Sequence, residues 1–352
     1  MVRLLSISLL TFEEKMEDYT SYNYSYDDKR CDYDAIKYLD VQLSYTYYFM
    51  FLFSLVGNVL VLVIIHRFGR LTTVTNIFLL NLVVSSLIFI SSLPLNGVSM
   101  QLSNWIFGTI MCNIVGSVYY LGFYSSGLFL ALLTFDRHLV VVYSLGAPRL
   151  INQRCALLCC AVVWLVSSLA CIPWMIIYEA YQYTPSSTTF CHKYVDDFAA
   201  TNINHLRNPA FYRHLFIFLL FPLIVIVYCY IRIAITVITS KLVTKFKTVR
   251  LIFVIVLLFF ISWIPYNVVL LTDHGPFTCE GIYRWIIVVQ MTYIYFCISP
   301  IFYTFVGEKF QNYFRQMVVK RFPGLKKYIS VDQAMPTEST QNELSSVMAH
   351  SL

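Results

Sequence analysis

Three ionisable residues stand side by side between two apolar stretches: Asp136, Arg137 and His138 interrupt the sequence LLTFDRHLVVV. An acid and a guanidinium form ion pairs, and an imidazole changes its charge near physiological pH. Because a buried ion pair is costly, this placement needs a physical reason. We expect Asp136 and Arg137 at the rim of an apolar region, where water and a partner protein reach them.

The other chemistry-bearing residues do not fall into a catalytic or metal-binding pattern. The seven histidines show no H-E-x-x-H or paired-ligand spacing, and neither G-x-S-x-G nor a P-loop occurs. A transporter would need polar midplane sites, often within an inverted repeat, and neither is visible. We therefore expect no enzyme, no cofactor, no metal and no nucleic-acid partner.

Long uncharged runs separate the charged residues. Of the 352 residues, 58% are hydrophobic and 12% are charged, against about 25% charged in ordinary soluble proteins. A membrane-crossing helix needs about 20 mostly apolar residues and satisfies its own backbone in lipid, whereas the alternation typical of barrel strands is absent. The longest run, 71–135, holds two spans separated by QLSNWIFG. The sequence predicts an all-α membrane protein, a seven-transmembrane helix bundle, with spans at about 44–66, 75–98, 109–140, 155–177, 212–238, 248–272 and 283–305.

The distribution of charge predicts the orientation of the bundle. Basic residues follow spans 1, 3, 5 and 7, whereas the first 44 residues carry nine acidic and five basic residues. The positive-inside rule places the basic side in the cytoplasm and the N-terminus outside. The expected parts are an extracellular tail (1–43), the bundle (44–305), an amphipathic helix on the membrane surface (306–321) and a cytoplasmic tail (322–352). The first span serves as the insertion signal, and translation starts at Met1 or Met16.

The ten cysteines divide into two groups. Four lie at predicted extracellular positions, where an oxidising environment favours two disulfides in any of three pairings: Cys31, Cys112, Cys191 and Cys279. The other six lie in spans, where cysteine serves as a small apolar filler: Cys155, Cys159, Cys160, Cys171, Cys229 and Cys297.

Short motifs in nearly every span resemble those of the rhodopsin-like (class A) G-protein-coupled receptors. They are Gly57-Asn58, the Asp136-Arg137 pair, Trp164, Pro222 with Tyr230, SWIPYN (262–267) and SPIFY (299–303). Other stretches resemble the chemokine-receptor branch: DRHLVVV, SLP (92–94), WIFG (105–108), FVGEKF (305–310) and the acidic, tyrosine-rich segment 18–34. TVTNIFLLNL (73–82) and KTVRLIFVIV favour the XC or CC type.

The resemblance implies which residues of the outer face bind the ligand. Cys112 is expected to pair with Cys191, and Cys31 with Cys279. An anionic, disordered tail attracts a basic chemokine, and the resemblance implies tyrosine sulfation there. Asn23, in the sequence NYS, is a glycosylation acceptor. The expected ligand contacts are Tyr19, Tyr22, Tyr24, Tyr26 and Tyr33 in the tail, Asn96, Tyr119, Tyr124, Trp263, Tyr266 and Gln290 in the bundle, and Asp273 at its mouth.

Four positions in the predicted pocket and midplane depart from the family pattern. Val289 and Asn96 stand where the family usually has Glu and Trp, which removes an acidic partner for a ligand amine. Ser86 and Ser299 replace the Asp and Asn that help form a sodium pocket in related receptors. We expect binding to be insensitive to sodium and the resting equilibrium to be altered.

The inner face is expected to bind the G protein. Arg137 is the predicted contact, paired with Asp136 at rest, and Lys245 stands where some receptors carry a locking acid. His138 replaces a family tyrosine and is expected to be exposed. By resemblance, Tyr230 and Tyr303 swing inward when span 6 moves out, with Pro222 and Pro265 as kink sites. A G-protein helix would enter the cleft that forms.

The remaining expectations concern partners and the rival function. Kinase and arrestin sites are expected in the tail, at Ser330, Thr337, Ser339, Thr340, Ser345, Ser346 and Ser351; no cysteine follows Cys297, so tail palmitoylation is not expected. The predicted function is a plasma-membrane glycoprotein receptor that binds a chemokine and signals through Gi in chemotaxis. The alternative is a decoy that internalises chemokine with weak or no G-protein coupling, and a viral origin stays open.

Overall fold

The computed structural model describes residues 33–68, 73–143, 152–183, 188–193, 212–240, 246–272, 279–306, 308–322 and 324. Nine α-helices lie in these ranges: α1 (Tyr33–Phe68), α2 (Val74–Ile90), α3 (Leu93–Leu102), α4 (Gly108–Val142), α5 (Gln153–Ile177), α6 (Phe221–Ser240), α7 (Phe246–Thr272), α8 (Cys279–Val306) and α9 (Glu308–Arg321). Strands β1 (Tyr178–Tyr183) and β2 (Thr188–Lys193) follow α5, and a π-helical segment (Phe216–Leu220) precedes α6. Several predicted site residues lie outside the described ranges: Tyr19, Tyr22, Asn23, Tyr24, Tyr26, Cys31, Lys245, Asp273 and the Ser/Thr tail.

The helices confirm the predicted bundle. Within the described residues, six helical stretches are long and apolar enough to cross a membrane: Lys37–Arg67, Val74–Leu102, Gly108–Val142, Gln153–Ile177, Tyr212–Thr239 and Phe253–Leu270. The predicted seventh span lies within α8. The helix predicted after span 7 corresponds to α9, and its place on the membrane surface stays a prediction.

Helix α1 begins earlier than the predicted span, at Tyr33 rather than residue 44. Leu39 and Leu43, one turn apart, pack against the core, and Asp40 is buried. Residues at this spacing share one face of a helix. The helix therefore extends into the acidic segment before residue 44, and its inner face continues the packing of span 1. The acidic composition of that segment gave no sign of a helix.

The second span is made of two helices joined at Ser91 and Ser92. Pro94 has no backbone N–H to continue the ladder and commonly kinks a helix. The two serine side chains donate to the carbonyls of Ile88 and Phe89 at 2.6 and 3.0 Å. These hydrogen bonds stabilise the bend at the predicted SLP motif.

The centre of the bundle is aromatic, and α4 packs against α2, α5, α6 and α7 around it. Its largest fully buried side chains are Trp263, Tyr120, Tyr124, Tyr266, Phe78, Phe89, Phe123, Phe129, Phe218, Phe259 and Phe296. Large apolar side chains also point outward, as Ile110 and Ile238 do at 79% and 77% exposure. A surface that apolar suits lipid rather than water.

Candidate functional site

A disulfide-tethered hairpin covers one end of the bundle. Strands β1 and β2 pair antiparallel, with Ala180 opposite Cys191. Cys191 is bonded to Cys112 in the first turns of α4, with a Cα–Cα distance of 5.5 Å. The Cys112–Cys191 pairing implied by the family resemblance is thus present. The Cys31–Cys279 pairing stays a prediction, since Cys31 lies outside the described residues.

The loop between α3 and α4 is fixed to the same hairpin. The backbone N–H of Trp105 donates to the carbonyl of Thr189 at 2.7 Å, and the Thr189 N–H donates to Asn104 Oδ1 at 2.7 Å. The Trp105 indole donates to the Gly108 carbonyl at 2.9 Å. The WIFG motif therefore holds the start of α4 beneath the hairpin.

Three of the predicted pocket residues meet in one aromatic cluster. The ring centroids of Tyr119, Trp263 and Tyr266 lie 5.6 to 6.1 Å apart. The Tyr119 hydroxyl lies 3.2 Å from Thr292 Oγ1, which joins α4 to α8. All three rings are buried, so they pack inside the bundle and expose little surface, and their contact with ligand stays a prediction.

Two of the other three bundle positions predicted to contact ligand, Asn96 and Gln290, are half-buried. Val289, which stands in place of the family's Glu, is buried. The position at which the family pattern has a carboxylate is therefore occupied by a buried apolar side chain.

Tyr124 lies deeper and belongs to a second, polar cluster. Its hydroxyl accepts a hydrogen bond from Trp174 Nε1 at 2.7 Å and lies 3.3 Å from His214 Nδ1. His214 Nε2 is 2.9 Å from Asn267 Oδ1. His214 was not among the predicted site residues. Its only signal in the sequence was a single imidazole at the start of an otherwise uncharged run, and intramembrane ionisable groups are commonly functional.

The middle of the bundle is held by neutral groups. Asn58 Nδ2 donates to Ser86 Oγ at 3.0 Å and to Ser54 Oγ at 3.1 Å. Ser54 Oγ in turn donates to the Phe296 carbonyl at 2.8 Å, which links α1, α2 and α8. Ser86 and Ser299 are both buried. This network contains no carboxylate to attract a sodium ion.

The family tryptophan of span 4 has a specific partner. Trp164 Nε1 donates to Asn81 Oδ1 at 2.8 Å, and Asn81 Nδ2 donates to the Ile77 carbonyl at 2.8 Å. Trp164 therefore fixes α5 against α2.

At the opposite end, Arg137 pairs with Asp136. The closest contact between them joins Arg137 NH2 to Asp136 Oδ2 at 2.7 Å. Thr75, in the first turn of α2, donates to the same oxygen at 2.8 Å. Asp136 is buried, whereas Arg137 is partly exposed, so the guanidinium is the more accessible member of the pair.

The expectation that His138 is exposed is wrong. Its side chain is only 4% exposed, and its ring lies 6.0 Å from the rings of both Tyr143 and Tyr228. Helix α4 continues to Val142, and α6 packs alongside its last turns through Val141 and Ile233. The apolar residues after the motif therefore draw His138 into a helix interface.

The remaining predicted inner residues lie on α6, α7 and α8. Tyr230 packs edge-on against Phe253 at 5.1 Å, so it joins α6 to α7. Pro222 follows the π-helical segment, and Pro265 lies inside α7. Tyr303 lies within α8. Among the described residues, no cluster of three His, Cys, Asp or Glu side chains offers a metal site.

Comparison with known proteins identifies the architecture. Residues 57–303 match the seven-transmembrane receptor (rhodopsin family). The chain is 31% identical to human C-C chemokine receptor type 8 over 88% of its length and 87% of that protein. It is 32% identical to guinea-pig (Cavia porcellus) C-C chemokine receptor type 3, over 80% of this chain and 79% of the other. Human C-C chemokine receptor type 1 is also 32% identical, over 84% and 85%. The chain therefore belongs to the rhodopsin family of seven-transmembrane receptors, in its chemokine-receptor branch, and is a receptor rather than an enzyme.

Proposed function

We propose that this receptor binds a basic chemokine at its outer face and signals through a Gi-type heterotrimeric G protein to direct cell migration. The observation that carries the proposal is the arrangement of two sites along α4. The hairpin tethered at Cys112 covers one end, and the Arg137–Asp136 pair lies at the other. One rigid helix therefore connects a site for an extracellular ligand with a site for a cytoplasmic partner.

Ligand capture rests on charge and on the fixed outer face. The segment 18–34 is rich in acids and tyrosines, and an acidic segment steers a basic partner and raises its association rate. Sulfation of the tyrosines adds further negative charge, and Asn23 carries a glycan. The N-terminus lies outside and the C-terminus in the cytoplasm of the plasma membrane, in accord with the positive-inside rule.

Signalling rests on the inner end of the bundle. In the paired state, Asp136 holds the Arg137 guanidinium. An outward movement of α7 exposes Arg137 to a G-protein helix entering the cleft, with Tyr230 and Tyr303 turning inward. Helix α9 lies on the membrane surface, and the Ser/Thr tail recruits receptor kinase and arrestin.

A decoy receptor is the second candidate, and the DRH motif favours it. His138 stands in place of the usual tyrosine and is buried against α6, so the packing between α4 and α6 next to Arg137 departs from the family pattern. A decoy binds and internalises the same ligand without productive coupling.

One experiment separates the two functions. A panel of purified chemokines is applied to cells that express the receptor, and Gi-dependent inhibition of cAMP and arrestin recruitment are recorded together. Both responses to one chemokine support the signalling receptor, whereas binding and arrestin recruitment without a cAMP response support the decoy. Failure of every chemokine to bind would contradict both.

A further inference from the structure

The polar cluster around His214 joins four helices in the outer half of the bundle. Trp174 lies on α5, Tyr124 on α4 and Asn267 on α7, and His214 lies in the helical turn that precedes the π-helical segment. The imidazole is fully buried, with 0% exposure, and it stacks on Phe123 at 4.8 Å. A buried polar network that is satisfied throughout rigidifies its surroundings.

The directions of the hydrogen bonds described above follow from the two ends of the cluster. An indole N–H only donates, so Trp174 Nε1 donates to the Tyr124 hydroxyl oxygen. At the other end, Asn267 Nδ2 donates to the Trp263 carbonyl at 2.8 Å. That bond orients the amide, and its Oδ1 therefore faces His214 Nε2 as an acceptor.

These constraints define the tautomer of His214. Nε2 must carry a hydrogen to donate to Asn267 Oδ1, so in the neutral imidazole Nδ1 is an acceptor. Tyr124 completes the chain by donating its own hydroxyl hydrogen to Nδ1. The relay assigns the neutral form to this ring, because a charge buried in an apolar region is costly. The relay runs in one direction, from Trp174 through Tyr124, His214 and Asn267 to the Trp263 carbonyl.

We propose that His214 is a positioning residue that holds the outer half of α7 to α4 and α6 in the resting receptor. The relay ends on the carbonyl of Trp263, two residues before Pro265, the kink site inside α7. In the same structure, Arg137 is paired with Asp136, which is the arrangement that we propose for the resting receptor. The relay is therefore present in the resting state. Breaking it removes a restraint on α7 and shifts the population toward the active state. The signalling consequence rests on the proposed function, whereas the tautomer and the restraint do not.

The first test reads the tautomer directly. Receptor labelled with 13C and 15N in histidine is placed in lipid nanodiscs, and the ring signals are assigned to His214 by their loss in His214→Gln. We expect protonated Nε2 and unprotonated Nδ1. A ring protonated at Nδ1 alone, or at both nitrogens, would overturn the relay. His66→Gln removes an exposed imidazole and must leave the assigned signals unchanged.

The second test measures the restraint on α7 by hydrogen–deuterium exchange of peptides covering residues 258–270. His214→Phe keeps a ring against Phe123 but removes both hydrogen bonds, and Tyr124→Phe removes only a hydroxyl. We expect each variant to speed exchange in this segment about tenfold or more, because each removes at least one buried hydrogen bond. The double variant should be no faster than His214→Phe, because both changes break the same chain. Unchanged exchange, or effects that multiply, would refute the relay.

Basal nucleotide exchange on purified Gi gives the signalling readout, and we expect a several-fold rise in His214→Phe and Tyr124→Phe. If the variants speed α7 exchange while the wild-type receptor fails to activate Gi even with chemokine, that result would contradict the proposed Gi coupling but support the restraint on α7. If the wild type activates Gi normally and neither variant changes hydrogen–deuterium exchange in α7, the proposed restraint is contradicted instead.

Discussion

Arg137 and Asp136 meet at a single oxygen atom. Both Nε and NH2 of the guanidinium donate to Asp136 Oδ2, at 3.2 and 2.7 Å, and Thr75 Oγ1 donates to the same atom. Charge-assisted hydrogen bonds of this kind are about twice as strong as neutral ones. The oxygen that holds Arg137 also ties the inner end of α4 to the start of α2.

Replacing Asp136 with Asn should release Arg137. The amide keeps the shape of the carboxyl group but loses its charge, so the guanidinium becomes available to the G protein. We expect basal nucleotide exchange on Gi to rise several-fold. Thr75→Val removes only the neutral donor and should have a smaller effect. A basal rate that stays at the wild-type value in Asp136→Asn would contradict the role of the pair.

Replacing His138 with Phe should stabilise the receptor. Both imidazole nitrogens are buried and make no hydrogen bond to any part of the chain that the structure describes, and an unsatisfied buried polar group costs about 1–3 kcal/mol. An aromatic ring of similar size fills the same space without that cost, so the apparent Tm in detergent should rise. Val140→Phe, an exposed position on the same turn, serves as the control and should leave the Tm unchanged. A lower Tm in His138→Phe would show that the imidazole has a partner.

The signalling effect of position 138 is tested separately by His138→Tyr, which restores the residue usual in the family. Gi responses to chemokine are compared at equal surface expression. We expect the variant to couple more strongly if the decoy function is the correct one, and to match the wild type if the receptor already signals. A loss of surface expression would contradict the view that this site accepts an aromatic ring.

Removing the hairpin tether should weaken ligand binding and stability together. Loss of a native disulfide typically costs about 2–5 kcal/mol. We expect Cys112→Ser, Cys191→Ser and the double variant to show the same loss of chemokine binding and the same drop in Tm, because all three break one bond. Cys155→Ser changes an exposed free thiol and should leave both measurements unaltered. Losses that add in the double variant would mean that the two cysteines act independently.

Ligand binding should be independent of sodium. The midplane network of Asn58, Ser54 and Ser86 is neutral, so it offers a cation no opposite charge. We expect chemokine affinity to be equal in sodium chloride and in choline chloride of the same ionic strength. Ser86→Asp should introduce a difference between the two salts. Strong sodium dependence of the wild type would overturn this expectation.

The sequence predicts the bundle well because lipid imposes one strong rule. A backbone in hydrocarbon must satisfy itself, so uncharged runs of sufficient length become helices. The break at SLP and the Asp136–Arg137 pair follow from equally local causes, a missing N–H and two adjacent opposite charges. The Cys112–Cys191 bond came from the family resemblance, since four cysteines alone allow three pairings.

Features that depend on neighbouring helices could not be predicted in this way. His138 was expected to be exposed because it follows two charged residues, but its burial depends on how α6 packs against α4. His214 acquires its role from residues on three other helices, and none of them is near it in sequence. The start of α1 at Tyr33 was not predicted, because charge marks where an apolar span ends but not where a helix ends.

The early start of α1 changes how the acidic tail meets its ligand. Residues 33–40 precede the uncharged run 41–66 and continue the same helix, which adds about 12 Å of rise at 1.5 Å per residue. In the proposed orientation, the tail is attached to the end of a helix that continues beyond the uncharged run. A basic chemokine attracted by the tail then meets the receptor first at the N-terminal end of α1, and the direction of that helix decides on which side of the mouth the chemokine arrives.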